Sequence, residues 1–212
     1  MKFGIGIPTL NRYDLLMPNL KTYARDFPNN KIYILDNGKQ NIAIEQNIEI
    51  IEQETNIGVG ASWNVLCEKI FETSDYALIL NDDIYLGKSQ QIIESVIERV
   101  SKKGDMFATA TPDWCAFILP KSVWRSVGKF DECFYPAYYE DNSYAYRLKL
   151  KGLVHYKTPL LNPILYRTSQ TLEKDYSILE KRKKNKELYI KMWGGEPTKE
   201  KFTTPYNGKI TN

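Results

Sequence analysis

The chain has 212 residues, of which 42% are hydrophobic and 26% are charged. This composition excludes a disordered chain, and the length suits one well-buried domain. The net charge of +3 is too small to indicate a nucleic-acid-binding protein. No run approaches the roughly 18 apolar residues of a membrane helix, and the apolar part of the N-terminus is too short for a signal peptide. We therefore expect a soluble, cytoplasmic protein, or one that is at most peripheral to a membrane.

The first half of the chain alternates short apolar strands with helical patterns. In chain order we predict a strand in KFGIGIPT, a helix in NRYDLLMPNLKTYARDF with Asn11 as N-cap, strands in KIYILDNG and NIEIIEQETN, a helix in GVGASWNVLCEKIFETS, a strand in DYALIL and a helix in KSQQIIESVIERVSKKG. Short apolar strands between helices predict an α/β fold with a mostly parallel sheet that is covered on both faces.

The second half has a different pattern. We predict one or two strands in MFATATPDWCAFILP, a short helix and an aromatic loop in KSVWRSVGKFDECFYPAYYED, a helix in EDNSYAYRLKLKG, a last strand in LVHYKTP, a basic helix over about 172–192 and an irregular tail. A solvated helix face is the ordinary interpretation of the basic run EKRKKNKELYIK. The alternative is contact with an anionic membrane surface or with a phosphorylated acceptor.

Cys67, Cys115 and Cys133 are odd in number, and their spacing suits neither a zinc site nor a disulfide framework. Each cysteine has apolar or aromatic neighbours. We therefore predict three buried free thiols, in keeping with a reducing compartment.

Ligands of parallel sheets bind beyond the carboxyl ends of the strands. Four segments follow the predicted strands, and all of them are rich in Asn, Asp, Gly or Thr: 8–12, 36–38, 56–60 and 81–83. We expect these segments to converge at one edge of the sheet.

Asp82 and Asp83 end an apolar strand, where two adjacent carboxylates would repel each other. Mg²⁺ and Mn²⁺ bind one or two carboxylates together with substrate phosphates, so this pair is a candidate metal site. An acidic turn that holds no metal explains the same residues.

Glu140 and Asp141 open a predicted helix. Acidic residues in a first turn are favoured by the helix dipole, which explains them as capping residues. The same dipole keeps a carboxylate ionised, as a general base requires, so the two interpretations are compatible.

Other catalytic motifs are absent from the sequence. GIGIP lacks the third glycine of a dinucleotide fingerprint, and there is no P-loop or serine-nucleophile motif. His155 is the only histidine and has no Cys or His near it, so we interpret it as structural.

Five segments of the chain, in order, resemble the motifs of GT-A-fold glycosyltransferases, especially those of the inverting family 2. They are IGIPTLNRYDLL, IYILDNG, NIGVGASWN, LILNDDIYL and VGKFDECFYPAYYEDNSYAYRLKLKG. The resemblance covers about Lys2–Pro163. It implies one GT-A-like domain with a nucleotide-sugar-binding half (1–104), an acceptor and catalytic half (105–165) and a C-terminal helix and tail (166–212).

The resemblance also implies a metal ion and a donor pocket. LILNDDIYL stands where the family has its DxD motif, so Asp83 is implied to bind Mn²⁺ or Mg²⁺, while Asn81 replaces the first acid of that motif. Asp36 is implied to accept a hydrogen bond from the base, most naturally uracil. The residues implied to line the nucleotide sugar are Pro8, Thr9, Arg12, Asp36, Asn56, Gly58, Asn64, Asn81 and Asp82.

The reaction implied by the resemblance is a direct, inverting displacement on a UDP-sugar. Asp141 is implied to be the general base, with Glu140 as the alternative. The aromatic residues Trp114, Phe117, Tyr138 and Tyr139 either present faces to the sugar rings of a carbohydrate or glycoconjugate acceptor or belong to the core.

Two features depart from the family. The region NPILYRTSQT lacks the histidine that many related enzymes place after the last core strand, and Tyr166 or Arg167 is a candidate substitute. The tail LYIKMWGGEPTKEKFTTPYN resembles the C-terminal segments of some short members, and we interpret it as a possible lid over the donor site.

Two other functions fit parts of the pattern. A sugar nucleotidyltransferase would need a Gly-rich basic loop after the first strand, which PTLNRYD does not provide. A module that binds nucleotide sugars or carbohydrates without turnover fits the presence of Asn81 and the lack of the histidine.

Overall fold

The structure is a computed structural model, and it describes residues 1–39, 42, 47–104, 106–111, 114–166 and 177–209. The strands are β1 Phe3–Thr9, β2 Ile32–Asp36, β3 Ile48–Glu52, β4 Tyr76–Leu80, β5 Ile84–Tyr85, β6 Phe107–Thr109, β7 Ala116–Pro120, β8 His155–Lys157 and β9 Leu165–Tyr166. The helices are α1 Tyr13–Asp26, α2 Val59–Phe71, α3 Gln90–Lys102, α4 Lys121–Val127, α5 Glu140–Leu150 and α6 Ser177–Trp193, and short 3-10 turns occupy Pro159–Leu161 and Pro205–Gly208.

Seven strands form one sheet in the order β3-β2-β1-β4-β7-β6-β8. Four of its six pairings are parallel, and only those of β7 with β4 and with β6 are antiparallel. Strands β5 and β9 form a separate antiparallel pair. The structure confirms the predicted α/β fold with a mostly parallel sheet flanked by helices.

The central strands are buried on both faces, which explains their continuous apolar sequences. In β4, Leu78 and Leu80 pack in the core beneath α1 and α3, whereas Ala77 and Ile79 pack beneath α2 and α5. Strand side chains alternate between the faces of a sheet, so one apolar run fills both cores. The sheet therefore lies between two helical layers.

The glycines of GIGIP have a packing role. A Cβ atom at Gly6 would lie 2.8 Å from Ile79 Cδ1 and 3.2 Å from atoms of Ile70 and Leu66. Glycine thus allows α2 to lie close to β1, which agrees with the exclusion of a dinucleotide fingerprint.

A third apolar cluster joins α6 to α5, with Tyr146, Tyr189 and Trp193 among its buried members. Trp193 Nε1 donates a hydrogen bond to Ser143 Oγ over 2.9 Å, and Tyr146 donates to the carbonyl oxygen of Phe202 over 2.9 Å. The segment after α6 turns back, and its amides at 201 and 202 donate to the carbonyl oxygen of Trp193. The C-terminal segment therefore packs against the helix that begins with Glu140.

Two local predictions are wrong. Helix α1 begins at Tyr13 with Arg12 at the N-cap position, while Asn11 has a φ of 53°. Asparagine tolerates this left-handed conformation, so Asn11 shapes the turn instead of capping the helix. Cys133 is exposed, in contrast to the buried Cys67 and Cys115, because its aromatic neighbour Phe134 takes the buried position.

The basic helix extends to Trp193, and its described part begins at Ser177, so the predicted start at 172 lies outside the described residues. The uncertain segment MFATATPDWCAFILP contains two strands, β6 and β7. Within the described ranges, no helix combines the length and the apolar character needed to span a bilayer.

Candidate active site at the carboxyl edge of the sheet

The loops that follow β1, β2 and β4 meet at one edge of the sheet. Thr9 Oγ1 donates to Asp82 Oδ2 over 2.7 Å, and the backbone amide of Asn37 donates to the carbonyl oxygen of Thr9 over 2.9 Å. The side chain of Asn37 accepts from the amide of Ile57 and donates to Ser62 Oγ, both over 3.0 Å. The neighbouring positions of three parallel strands produce this convergence.

Asp82 and Asp83 form the turn between β4 and β5. Burial raises the pKa of Asp82 to about 7, although its hydrogen bond with Thr9 opposes that shift. Burial also raises the pKa of Asp83, whose Oδ1 is buried without a hydrogen-bond partner. A carboxylate oxygen that is desolvated and lacks a donor is costly, and a cation is the ligand that would offset this cost.

Arg12 is a positive group beside this turn. Its Nε and one terminal nitrogen each lie 3.1 Å from a carboxylate oxygen of Asp14, in a bidentate arrangement. This hydrogen-bonded contact raises the pKa of Arg12, although burial opposes the shift, and Asp82 and Asp83 contribute to the rise. The turn and the start of α1 therefore share one electrostatic environment.

Among the described residues, no three His, Cys, Asp or Glu side chains come together as a ready metal site. Mg²⁺ and Mn²⁺ ordinarily take one or two carboxylates and complete their coordination with phosphate oxygens and water. The unpartnered oxygen of Asp83, with Asp82 beside it, fits that incomplete type of site.

The other residues predicted to line the donor differ in their surroundings. Asp36 is fully buried at the end of β2, and its Oδ1 accepts from the amide of Gly38 over 2.8 Å. Pro8, Asn56 and Asn81 are each half-buried. The amide of Asn81 donates to a carbonyl oxygen of the neighbouring strand segment.

Two of these residues contact protein groups. A Cβ atom at Gly58 would lie 2.9 Å from Tyr135 Cδ2 and 3.0 Å from the carbonyl oxygen of Pro136. The absence of a side chain at Gly58 therefore allows the loop that contains Tyr135 and Pro136 to lie against its backbone. Asn64 is buried and exchanges hydrogen bonds with both backbone groups of Phe130. Gly58 and Asn64 therefore support neighbouring loops through these contacts, and their contact with the nucleotide stays a prediction.

Glu140 and Asp141 begin α5 after two consecutive tyrosines in the left-handed conformation, Tyr138 with a φ of 76° and Tyr139 with a φ of 80°. Glu140 is buried, and its Oε2 has no hydrogen-bond partner. Burial, and secondarily the charge of Asp141, raises the pKa of Glu140 to about 8. Asp141 is half-buried, and its Oδ1 accepts from the amide of Asn142 over 2.7 Å.

The aromatic candidates fall into two groups. Trp114 packs in a cluster with its ring centroid 4.6 Å from that of Phe107 and 5.4 Å from that of His155, and Phe117 is fully buried. Tyr138 and Tyr139 belong instead to the loop that leads into α5. The observed contacts of Trp114 are those of core packing, one of the two interpretations that the sequence leaves open for it, and its contact with the acceptor stays a prediction.

His155 is part of the aromatic cluster. Its Nε2 lies 2.8 Å from Thr109 Oγ1, and burial lowers its pKa to about 4. These contacts agree with the structural role expected for this residue.

The backbone of Tyr166 pairs with Ile84, the residue that follows Asp83. The backbone of this predicted substitute for the missing histidine is thus close to the acidic turn, through the separate β5–β9 pair. The other candidate, Arg167, lies outside the described residues.

The similarity of this chain to known proteins is found in its structure and not in its sequence. No protein-family model matches the chain, and no curated protein sequence matches it. Among solved structures, the mannosyltransferase PcManGT from Pyrobaculum calidifontis, in complex with GDP-Man and Mn²⁺, matches 80% of this chain and 58% of its own, with a TM-score of 0.64 and 12% identity. GalNAc-T7 with UDP, GalNAc and Mn²⁺ matches 93% of this chain and 49% of its own, with a TM-score of 0.73 and 10% identity.

The chain has the GT-A fold. It spans little more than half the length of PcManGT and about half that of GalNAc-T7. Because the identities are this low, the two proteins establish the fold alone, and the chemistry of this chain must be argued from its own residues.

Two asparagines support the loops of the candidate site, and the sequence did not indicate this role for either of them. Asn37 joins the loop after β2 to the start of α2, but the sequence DNG indicates only a turn. Asn185 donates to carbonyl oxygens of the loop before α5, and the basic residues around it conceal this role. The one sequence signal for the role of Asn185 is that it is a single uncharged polar residue within a run of charged residues.

We expect Glu140→Gln to remove a pH dependence of stability. The pKa of Glu140 is about 8 in the folded protein against an ordinary value of 4.5, so between these values the unfolded chain releases a proton that the folded chain keeps. The contribution of the protonated Glu140 side chain to the free energy of unfolding is therefore fully present below about pH 4.5, and it is lost as the pH rises to about 8. Glutamine has nearly the same shape and does not ionise, so the variant should be more stable than the wild type at pH 8.5, by a few kcal/mol as an order of magnitude.

Urea unfolding at several pH values measures this effect. Glu187→Gln, which changes an exposed glutamate on α6, is the matched control. Parallel stability curves for the wild type and Glu140→Gln between pH 4.5 and 8.5 would show that Glu140 is ionised in the folded protein.

Proposed function

We propose that the chain is a metal-dependent glycosyltransferase that moves a sugar from a nucleotide-sugar donor to a hydroxyl group of a carbohydrate or glycoconjugate. One observation carries the proposal. The acidic turn at the end of β4 presents a buried, unpartnered oxygen of Asp83 at the carboxyl edge of a GT-A sheet. Two solved proteins with this fold are a mannosyltransferase and GalNAc-T7, each in complex with Mn²⁺.

Asp83 is the residue that would bind Mn²⁺ or Mg²⁺. Asp82 is held by Thr9 and adds a second negative charge beside it. When bound, the metal supplies positive charge that stabilises the departing nucleoside diphosphate. Arg12 lies within electrostatic range of both carboxyl groups and would add a fixed positive charge on the same side.

The donor we propose is a UDP-sugar. Asp36 ends β2 beside Thr9 in the register of the sheet, so both residues belong to the same edge as the acidic turn. A carboxylate there is suited to accept a hydrogen bond from the N3–H group of uracil. Pro8 and Asn56 are half-buried at this edge and would border the nucleotide.

Asp141 is the proposed general base. It is the more accessible member of the acidic pair, and its position in the first turn of α5 favours its ionised form. Glu140 is a poorer candidate because burial raises its pKa to about 8, so near pH 7 most of it is already protonated.

The reaction follows from this assignment. Asp141 takes the proton of the acceptor hydroxyl, the oxygen forms a bond to the anomeric carbon of the sugar, and the bond from that carbon to UDP breaks. A single displacement of this kind inverts the anomeric configuration.

A panel of sugar nucleotides, including GDP-mannose and several UDP-sugars, tests the proposal. We expect slow release of UDP from one or a few UDP-sugars in the presence of Mn²⁺ even without an acceptor, and no release in the presence of EDTA. Donor binding by calorimetry with no hydrolysis and no transfer would indicate a binding module without turnover. The absence of both binding and hydrolysis for every donor would refute the proposal.

A further inference from the structure

Helix α6 is anchored to the loop that leads into Glu140 and Asp141. The anchor is Asn185, which is 5% exposed. Its Nδ2 donates to the carbonyl oxygens of Ala137 over 2.9 Å and of Tyr138 over 3.3 Å. A buried amide with such partners holds one face of α6 in a fixed position against the loop.

This anchor places two cations over aromatic rings of the same loop. The guanidinium carbon of Arg182 lies 5.0 Å from the centroid of the Tyr138 ring, and Lys181 Nζ lies 5.8 Å from that of Tyr135. Stacking occupies the flat face of a guanidinium group and leaves the N–H donors at its edge available. An arginine held in this way is prepared to bind an anion in a bidentate manner.

The positive charge of this segment is not neutralised within the described residues. Positions 181–184 are four consecutive cations, and none of them makes an ion pair in the described part of the chain. Lys186, on the same helix, is paired with Glu196 over 2.7 Å. The stacked cations are thus distinguished from a neighbouring lysine whose charge already has a partner.

Tyr138 connects these cations with the candidate base. Burial raises the pKa of its hydroxyl group, Arg182 lowers it, and Glu140 and Asp141 raise it, so all three groups lie within electrostatic range of that hydroxyl. An anionic molecule that approached Asp141 would be repelled by its carboxylate. The positive charge of Arg182, stacked on the Tyr138 ring, offsets this repulsion.

We propose that Arg182, stacked on Tyr138 and assisted by Lys181, binds an anionic group, phosphate or carboxylate, carried by the acceptor. The assignment to the acceptor rests on the proposed function of Asp141, whereas the anion subsite itself does not. The diphosphate of the donor has the same chemistry and is the other possible source of the anion, so the experiment separates the two.

The first measurement uses binding alone, without metal or nucleotide. Inorganic phosphate, glucose 1-phosphate and methyl glucuronide are titrated by NMR, with glucose as the neutral control. We expect saturable binding of at least one anion, no binding of glucose, and a loss of at least about tenfold in affinity for Arg182→Gln, the size of effect typical of one charge-assisted contact. Lys183→Gln removes the same charge two positions before Asn185, on the opposite side of a helix that turns about 100° per residue, and should change the affinity less than about twofold.

Two results of this titration overturn the proposal. One is the absence of saturable binding for all three anions. The other is an equal loss of affinity in Arg182→Gln and Lys183→Gln, which would indicate non-specific attraction to a basic helix.

Two further measurements distinguish the source of the anion. Arg182→Gln should leave the affinity for UDP with Mn²⁺ unchanged, and a tenfold loss there would assign Arg182 to the donor diphosphate and overturn the acceptor assignment.

The protein should bind vesicles of phosphatidylcholine with phosphatidylserine no more tightly than it binds vesicles of phosphatidylcholine alone. Strong binding that Arg182→Gln and Lys183→Gln weaken equally would overturn the proposal in favour of a membrane surface. Because none of these measurements needs turnover, a failure of the proposed glycosyltransferase activity is recognised separately, by the donor panel.

Discussion

Asp83→Ala should reduce the Mn²⁺-dependent affinity for UDP by at least about 100-fold, since residues that only support metal ligands already contribute 10- to 100-fold. The Oδ1 atom of Asp83 is buried and has no hydrogen-bond partner, so this oxygen is available to bind a ligand and does not stabilise the fold through a hydrogen bond. The substitution should therefore leave the protein folded. Calorimetry with UDP in Mn²⁺ and in EDTA measures the effect.

Asp75→Ala is the matched control for this experiment. Asp75 is exposed and immediately precedes β4, whereas Asp83 follows that strand, so the same substitution is made at opposite ends of one element. The control should bind UDP as the wild type does. If Asp83→Ala also binds UDP normally in Mn²⁺, the metal is held elsewhere and the proposed site is wrong.

Asp141→Asn should lower the rate of sugar transfer by about 10²- to 10⁴-fold, the contribution of a general base, and leave donor affinity unchanged. Asparagine keeps the size of the side chain and cannot accept the proton of the acceptor hydroxyl. The comparison uses the donor identified by the panel and an acceptor that supports transfer.

Glu140→Gln is the informative partner of this variant. Glu140 is buried and holds its proton near neutral pH, so its replacement should change transfer far less than the replacement of Asp141 does. Retained transfer in Asp141→Asn together with loss in Glu140→Gln would move the base by one residue. The stability measurement on Glu140→Gln then shows whether that loss arises from unfolding.

The sheet and its ligand-binding edge could be predicted from the sequence because local signals are sufficient there. Strands such as β2 and β4 are continuous apolar runs, and each is followed by Asn, Asp or Gly at the point where its loop begins. Burial on both faces requires the first feature, and a turn at a sheet edge favours the second. The positions of Thr9, Asp82 and Asp83 follow from these signals.

The contacts that the sequence does not predict are those of side chains whose surroundings are set by distant parts of the chain. Gly58 is adjacent to Tyr135 and Pro136, which lie more than 70 positions away in the sequence. Asn64 is bound to Phe130, and Trp114 is packed on Phe107 and His155. Such pairings depend on how the helical layers meet the sheet, which a motif does not encode.

The hydrogen bond from Trp193 to Ser143 has a consequence for how this protein can be shortened or fused. Ser143 donates in turn to Asp131, so the last helix supports the beginning of α5 through a relay of side chains. A fragment that ended before this tryptophan would keep every strand of the sheet and still lose the outer support of Asp141. Because the carbonyl oxygen of Phe202 also accepts a hydrogen bond from Tyr146 in α5, we expect a fragment that keeps the proposed role of Asp141 to need the chain through Phe202, well past the last strand of the sheet.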